Sequence, residues 1–138
     1  MYTRLTEAYT ALAKQHKLRV IPSGYAVDLF RKTLGEKLVP VSPADVLTLK
    51  EPDLPGTNDP AGNFSWRKNA KTGKTVLRSD YNHLNPRGQY LQSLVWYAFL
   101  FGRDPEKSAF VPGNISAEEA ALFKKCAAKA VAEFPQAK

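Results

Sequence analysis

Cysteine is nearly absent from this chain. One residue, Cys126, in 138 excludes an internal disulfide framework and a cysteine-rich zinc site. It lies in an Ala-rich stretch of helical periodicity, where a small buried thiol is the expectation. Histidine is almost as scarce, with two residues, His16 and His83. Long apolar runs are missing too. The longest, Leu94 to Phe101, falls well short of the roughly 18 to 20 residues that span a bilayer, so no membrane partner is expected. Met1-Tyr2-Thr3-Arg4 lacks the apolar core and small-residue cleavage site of a secretory signal, so any export address is expected to have been removed or to lie upstream.

What remains is ordinary globular material: 43% hydrophobic, 24% charged, and a length suited to one domain over residues 1–138. The formal charge of +7 raises nucleic acid as a partner. The basic residues are spread along the chain without a reading motif, and solvated charge is the expectation. One group, Arg67 to Arg78 beside Trp66, is denser and is compatible with a weak anion-attracting surface.

Periodicity predicts a helix over Tyr2 to Lys17, with Leu5, Ala8, Tyr9, Leu12 and Ala13 on one face. Leu18-Arg19-Val20-Ile21 reads as a short core strand stopped by Pro22 and Gly24. Ala26 to Leu34 follows as a helix with Val27, Phe30 and Leu34 on one face and Gly35 as its stop. Helix, strand, helix is an α/β rhythm. From Glu36 to Gly62 five prolines and two glycines predict a long loop, with a helical turn over Pro43 to Leu49. Residues 63–67 and 74–78 alternate around Asn69-Ala70-Lys71-Thr72-Gly73, which predicts a β-hairpin. Asn85 then caps a helix with Pro86 at its first position, Tyr90, Leu91, Leu94, Val95, Ala98 and Phe101 as its buried stripe, and Gly102 as its end. Ser116-Ala117-Glu118-Glu119 opens the last helix as a capping box, followed by Ala120, Phe123, Ala127, Val131 and Phe134 on one face.

Chemistry concentrates in Asp80-Tyr81-Asn82-His83. An Asp three residues before a His on a turn brings its carboxylate to the imidazole Nδ1, fixing the tautomer and supporting the imidazolium formed when Nε2 takes a proton. The same spacing also suits a structural Asp capping its turn beside an exposed His. A metal site built from Asp80, His83 and a third ligand is a weaker alternative. His16, the other histidine, falls at the polar end of the first helix, so no metal or cofactor is expected.

The longer run Asp80-Tyr81-Asn82-His83-Leu84-Asn85-Pro86-Arg87-Gly88-Gln89-Tyr90-Leu91, continuing through Trp96-Tyr97 to Leu100-Phe101-Gly102-Arg103-Asp104-Pro105, resembles the final block of the SGNH/GDSL ester hydrolases. It is closest to bacterial members whose substrates are often carbohydrate esters. More softly, Leu18 to Leu34 resembles that family's last core βα unit. The resemblance implies the C-terminal part of a flavodoxin-like three-layer α/β/α fold. It implies Asp80 as the orienting carboxylate and His83 as general base and then general acid in acyl transfer. Trp66, Tyr81 and Asn82 are expected to contact a small ester or carbohydrate substrate. An exported or periplasmic setting is also implied.

The family's nucleophile stands in a Gly-Asp-Ser motif, which does not occur here. Gly56-Thr57-Asn58-Asp59 spells one of the family's oxyanion blocks, but in a Pro-rich loop, where turn chemistry is the expectation. Ser23 occupies a strand-to-helix junction that in the family shapes the pocket. Ser42, Ser65 and Ser79 carry no supporting pattern. Serine and oxyanion donors are therefore expected outside these residues, and the chain alone is expected to be inactive. One strand with helices around it leaves sheet edges open, so the expected partner is the N-terminal half of the same fold, or self-association. The competing reading is a non-catalytic carbohydrate-binding or interaction module using Trp66, Tyr81, Tyr90, Trp96 and Tyr97, although Trp96 and Tyr97 are expected in the core.

Overall fold

The local punctuation in the sequence is realised at almost every helix end. The computed structural model describes residues 2–136. They form α1 (Tyr2–His16), α2 (Ser23–Leu34), α3 (Pro43–Thr48), β1 (Ala61–Lys68), β2 (Thr75–Leu84), α4 (Pro86–Phe101) and α5 (Ala117–Glu133). Short 3-10 turns occupy Gly35–Lys37 and Pro105–Lys107. The chain is mixed α/β, mostly helical with one two-stranded antiparallel sheet among the described residues.

Asn85 Oδ1 accepts the backbone N–H groups of Arg87 (3.1 Å) and Gly88 (3.2 Å), satisfying two amides that the first turn of α4 would leave orphaned. Gly102 closes α4 at φ +61°, with its N–H on Ala98 O at 3.0 Å. Ser116 Oγ accepts from Glu119 N at 3.1 Å and caps α5. At the end of α1 the left-handed position falls on Lys17 (φ 53°), and the Leu18 N–H reaches back to Ala13 O at 2.8 Å.

Packing divides the chain into two compact units, residues 1–33 with 90–138, and residues 34–89. The first holds the apolar core. Phe30 stacks on Phe123 with ring centroids 4.4 Å apart, Tyr90 meets Phe123 edge-on at 6.1 Å, and Leu91, Val95, Ala26, Ala127 and Ala130 are fully enclosed. Cys126 is buried as expected, and its surroundings push the thiol pKa up by desolvation.

Three expectations for this unit need correction. Leu18 to Ile21 is not a strand, because no neighbouring strand exists among the described residues to complete its ladder. Instead the Gln136 carboxamide takes both main-chain groups of Val20: Val20 N donates to Oε1 and Nε2 donates to Val20 O, each at 2.9 Å. The apolar stripe of α1 buries Ala13 but leaves Leu5, Tyr9 and Leu12 about half exposed. On α4, Phe101 is 69% exposed, and Trp96 and Tyr97 lie at the surface instead of in the core, with Trp96 Nε1 donating to Ser23 Oγ at 3.1 Å.

The second unit is held mainly by polar bonds. Thr57 Oγ1 donates to Val39 O (2.7 Å), Val39 N donates to Asn58 Oδ1 (2.8 Å), Asn58 Nδ2 donates to Lys37 O (2.8 Å), and Asp59 Oδ1 accepts Ala61 N (2.8 Å). The Gly56-Thr57-Asn58-Asp59 run is therefore a loop staple: Asp59 makes the expected local turn bond, while Thr57 and Asn58 reach back to Lys37 and Val39. Asn85 Nδ2 adds a bond to Asp59 O at 2.7 Å, and Gly88 packs against Pro60 so closely that a side chain has no room. The hairpin turn closes through Asn69, whose Oδ1 accepts Lys71 N and Thr72 N, while Gly73 sits at φ +69°.

Candidate functional site

β2 runs six residues past the expected end of the hairpin and takes Asp80 and His83 into the sheet's margin. Asn63 through Lys68 pair in unbroken register with Asp80 back to Thr75, and Ala61 pairs with Leu84. Between these pairings Tyr81, Asn82 and His83 stand opposite Gly62 alone. The surplus forces a bulge, and bulges re-aim side chains at a strand's edge. Gly62 meets it at φ +105°, a conformation open to glycine and costly for other residues. Asn63 Nδ2 ties the far end, donating to Leu84 O at 2.7 Å.

Within the bulge Asp80 does two jobs with its two oxygens. Oδ1 accepts the backbone N–H groups of Asn82 (3.0 Å) and His83 (3.1 Å), folding the segment into an Asx turn. Oδ2 lies 2.7 Å from His83 Nδ1. The Asn82 and His83 amides, and then the imidazole, hold the Asp80 carboxyl below the usual carboxylate range. A carboxylate on that side favours, for the neutral ring, the tautomer in which Nδ1 donates and Nε2 is the acceptor. The His83 side chain is 80% exposed, so Nε2 is open to an incoming hydroxyl. The expected carboxylate–imidazole contact is present. It sits in a strand bulge, where a turn between hairpin and helix was expected.

The remaining expected site residues divide by face. Side chains alternate along a strand, so Asp80 shares its face with Arg78, Val76, Asn63, Ser65 and Arg67, whereas Trp66 and Phe64 occupy the other. Trp66 Nε1 is engaged by Asp53 O at 2.9 Å. Tyr81 packs edge-on against Phe64 with centroids 5.4 Å apart and remains 43% exposed. Asn82 contributes its backbone amide to Asp80 and keeps its side chain exposed. Asn82 thus belongs to the turn that holds the pair, whereas Tyr81 packs on Phe64 and Trp66 does not share the face of Asp80. Sequence reading missed Asn63 and Gly62 as the residues that shape the bulge. Their signal is register, which a strand's own composition does not announce.

Three of the four alternative serines make side-chain hydrogen bonds, and the fourth, Ser79, pairs with Phe64 on the face away from Asp80. Ser23 Oγ accepts from Trp96, Ser42 caps α3 by accepting Ala44 N at 3.2 Å, and Ser65 Oγ accepts from Arg67 Nε at 3.3 Å. Among the described residues no three His, Cys, Asp or Glu side chains group to hold a metal ion, and no helix is long and apolar enough to cross a membrane. Comparison with protein families, with curated proteins and with solved structures finds no match to this chain.

Proposed function

We propose that this chain is the Asp–His portion of an SGNH/GDSL-type ester hydrolase acting on acyl or acetyl esters of carbohydrate, with serine and oxyanion donors supplied from outside it. The observation that carries the reading is the 2.7 Å contact between Asp80 Oδ2 and His83 Nδ1, backed by two amides on the other carboxylate oxygen. That arrangement holds the imidazole in the tautomer a general base needs. Nε2 would take the proton of the attacking serine hydroxyl as its oxygen bonds to the acyl carbon. It would return that proton to the leaving alcohol oxygen as the ester C–O bond breaks.

The first unit supports the partner half of the proposal. Leu5, Tyr9 and Val20 to Pro22 line an apolar groove of about 140 Å³ together with Tyr25 and Phe134, and the adjoining face of α1 is uncovered. Apolar helix faces and a β-prone segment without a strand neighbour are what remains when part of a three-layer α/β/α sheet is supplied by other residues.

The test uses the protein as its natural gene encodes it. A Gly-Asp-Ser after an upstream strand, with p-nitrophenyl acetate hydrolysis falling about 10³-fold or more in His83→Ala, supports the reading. A gene product without such a serine, or hydrolysis indifferent to His83→Ala, rejects it. The exposed ring of Tyr81 on Phe64 favours a second reading, a carbohydrate-binding module without catalysis. Glycan binding without hydrolysis, unchanged by His83→Ala and weakened by Tyr81→Ala, would select it.

A further inference from the structure

The β1–β2 hairpin carries a concentration of charge that the proposed chemistry leaves unexplained. From Ala61 to Ser79 there is no Asp or Glu, while Arg67, Lys68, Lys71, Lys74 and Arg78 supply five cations. All five are exposed, and among the described residues none of them forms an ion pair. Arg67 pairs with Val76 and Arg78 with Ser65, so the two guanidinium-bearing residues are diagonal neighbours on one face. Like charges so placed repel and weaken a hairpin. Elsewhere the chain offsets such charges, as with Lys32 on Asp28 at 2.7 Å; here the one carboxylate on the face, Asp80, is turned to the Asn82 and His83 amides and the His83 ring and forms no ion pair with either arginine.

We propose that this face of the hairpin is a docking track for an acidic polysaccharide, a uronate-type chain whose ester is presented to His83. The choice of carbohydrate rests on the ester-hydrolase reading, whereas the anionic character rests on the hairpin alone. Arg78, Arg67 and Asp80 share one face, and four residue steps separate the Asn63–Asp80 pair from the Arg67–Val76 pair. At the rise of an antiparallel strand the track is about 13 Å long and ends at the bulge that bears His83. Carboxylates spaced along an extended sugar chain would meet Arg67 and then Arg78, with Ser65 directly across from it, before the ester reaches the imidazole.

Single-stranded nucleic acid fits this face less well, because base stacking needs aromatic rings interleaved with the cations. Phe64 and Trp66 lie on the opposite face. A duplex gripping the ribbon through its phosphates is the nucleic-acid outcome that the test must separate.

The intact chain is titrated with oligogalacturonate, with neutral dextran oligomers and with a short DNA duplex of matched charge, all at about 0.1 M salt, where screening is appreciable. Wild type is compared with Arg67→Gln/Arg78→Gln. An equal-charge control, Lys14→Gln/Lys125→Gln, alters exposed sites outside the hairpin. The expected result is binding of oligogalacturonate and not dextran, weakened about tenfold by the hairpin variant and less than about twofold by the control. Unchanged circular dichroism and melting temperature establish that the variants are folded.

Equal losses in both variants, preference for the duplex, or no oligogalacturonate binding would each overturn the proposal. Binding is read without hydrolysis. Hairpin-dependent binding in a gene product that cleaves no ester would therefore refute the hydrolase reading and leave the track standing. Cleavage of neutral acetyl esters without polyuronate binding would do the reverse.

Discussion

Replacing Gly88 by alanine tests whether the first turn of α4 anchors the segment that carries the Asp80–His83 pair. A Cβ built on Gly88 would lie 2.1 Å from Pro60 O, 3.0 Å from Pro60 C and 2.9 Å from Leu84 Cδ2. The leucine methyl can rotate away, but the carbonyl belongs to backbone that is already committed. Pro60 O accepts Asn85 N at 3.1 Å, and the neighbouring Asp59 O accepts Asn85 Nδ2 at 2.7 Å. Making room for one methyl group means displacing the helix start from this loop and stretching both bonds.

Overpacking of this kind costs about 1–3 kcal/mol, and each buried hydrogen bond lost adds about 1 kcal/mol. The expected destabilisation is therefore about 3–5 kcal/mol, a large share of the roughly 5–15 kcal/mol that holds a typical domain folded. Gly56→Ala is the control, since nothing lies within 4 Å of a Cβ there. It should be neutral or stabilising by up to about 1 kcal/mol through the unfolded chain. Urea titration followed by far-UV circular dichroism and tryptophan fluorescence reads both. A Gly88→Ala unfolding free energy within about 0.5 kcal/mol of wild type would refute the close-approach argument.

Two further expectations follow from hydrogen bonds seen in the structure. Gln136→Ala removes both partners of Val20 and should destabilise by about 1–2 kcal/mol, with amide exchange at Val20 accelerating before other core amides; an unchanged exchange rate there would count against the carboxamide bridge. For Asp80, the folded-state carboxyl titrates below its unfolded value because two amides and the imidazole favour the anion. Its contribution is thus fully present above about pH 3.9, the unfolded value, and is lost as pH falls through the lower folded value. Carboxyl carbon NMR should place the Asp80 midpoint below about 3.9, and a midpoint at or above that value would contradict the Asx-turn geometry.

The pair at the centre of the site was legible because it is local. Asp80 and His83 are three residues apart, and every bond that orients them, to Asn82 N, His83 N and His83 Nδ1, lies within the same four residues. Their setting was not legible. Whether Asp80 terminates a turn or belongs to a strand depends on Asn63, seventeen positions earlier and across the sheet. That same register sends Trp66 to the opposite face and brings Arg67 and Arg78 onto the face of Asp80.

Helix caps at Asn85 and Ser116, the stop at Gly102 and the Asn69–Gly73 turn were readable from residue types alone, because each is a bond between near neighbours or a backbone angle that one residue accommodates. Tertiary structure alone decided the fate of Leu18 to Ile21 and of the apolar faces of α1 and α4. Periodicity says which side chains share a face, and β-propensity says which residues prefer an extended backbone. Neither says what, if anything, arrives to cover them. For Val20 the arrival is Gln136, 116 residues away, and for Leu5, Tyr9, Leu12 and Phe101 no described residue covers them fully.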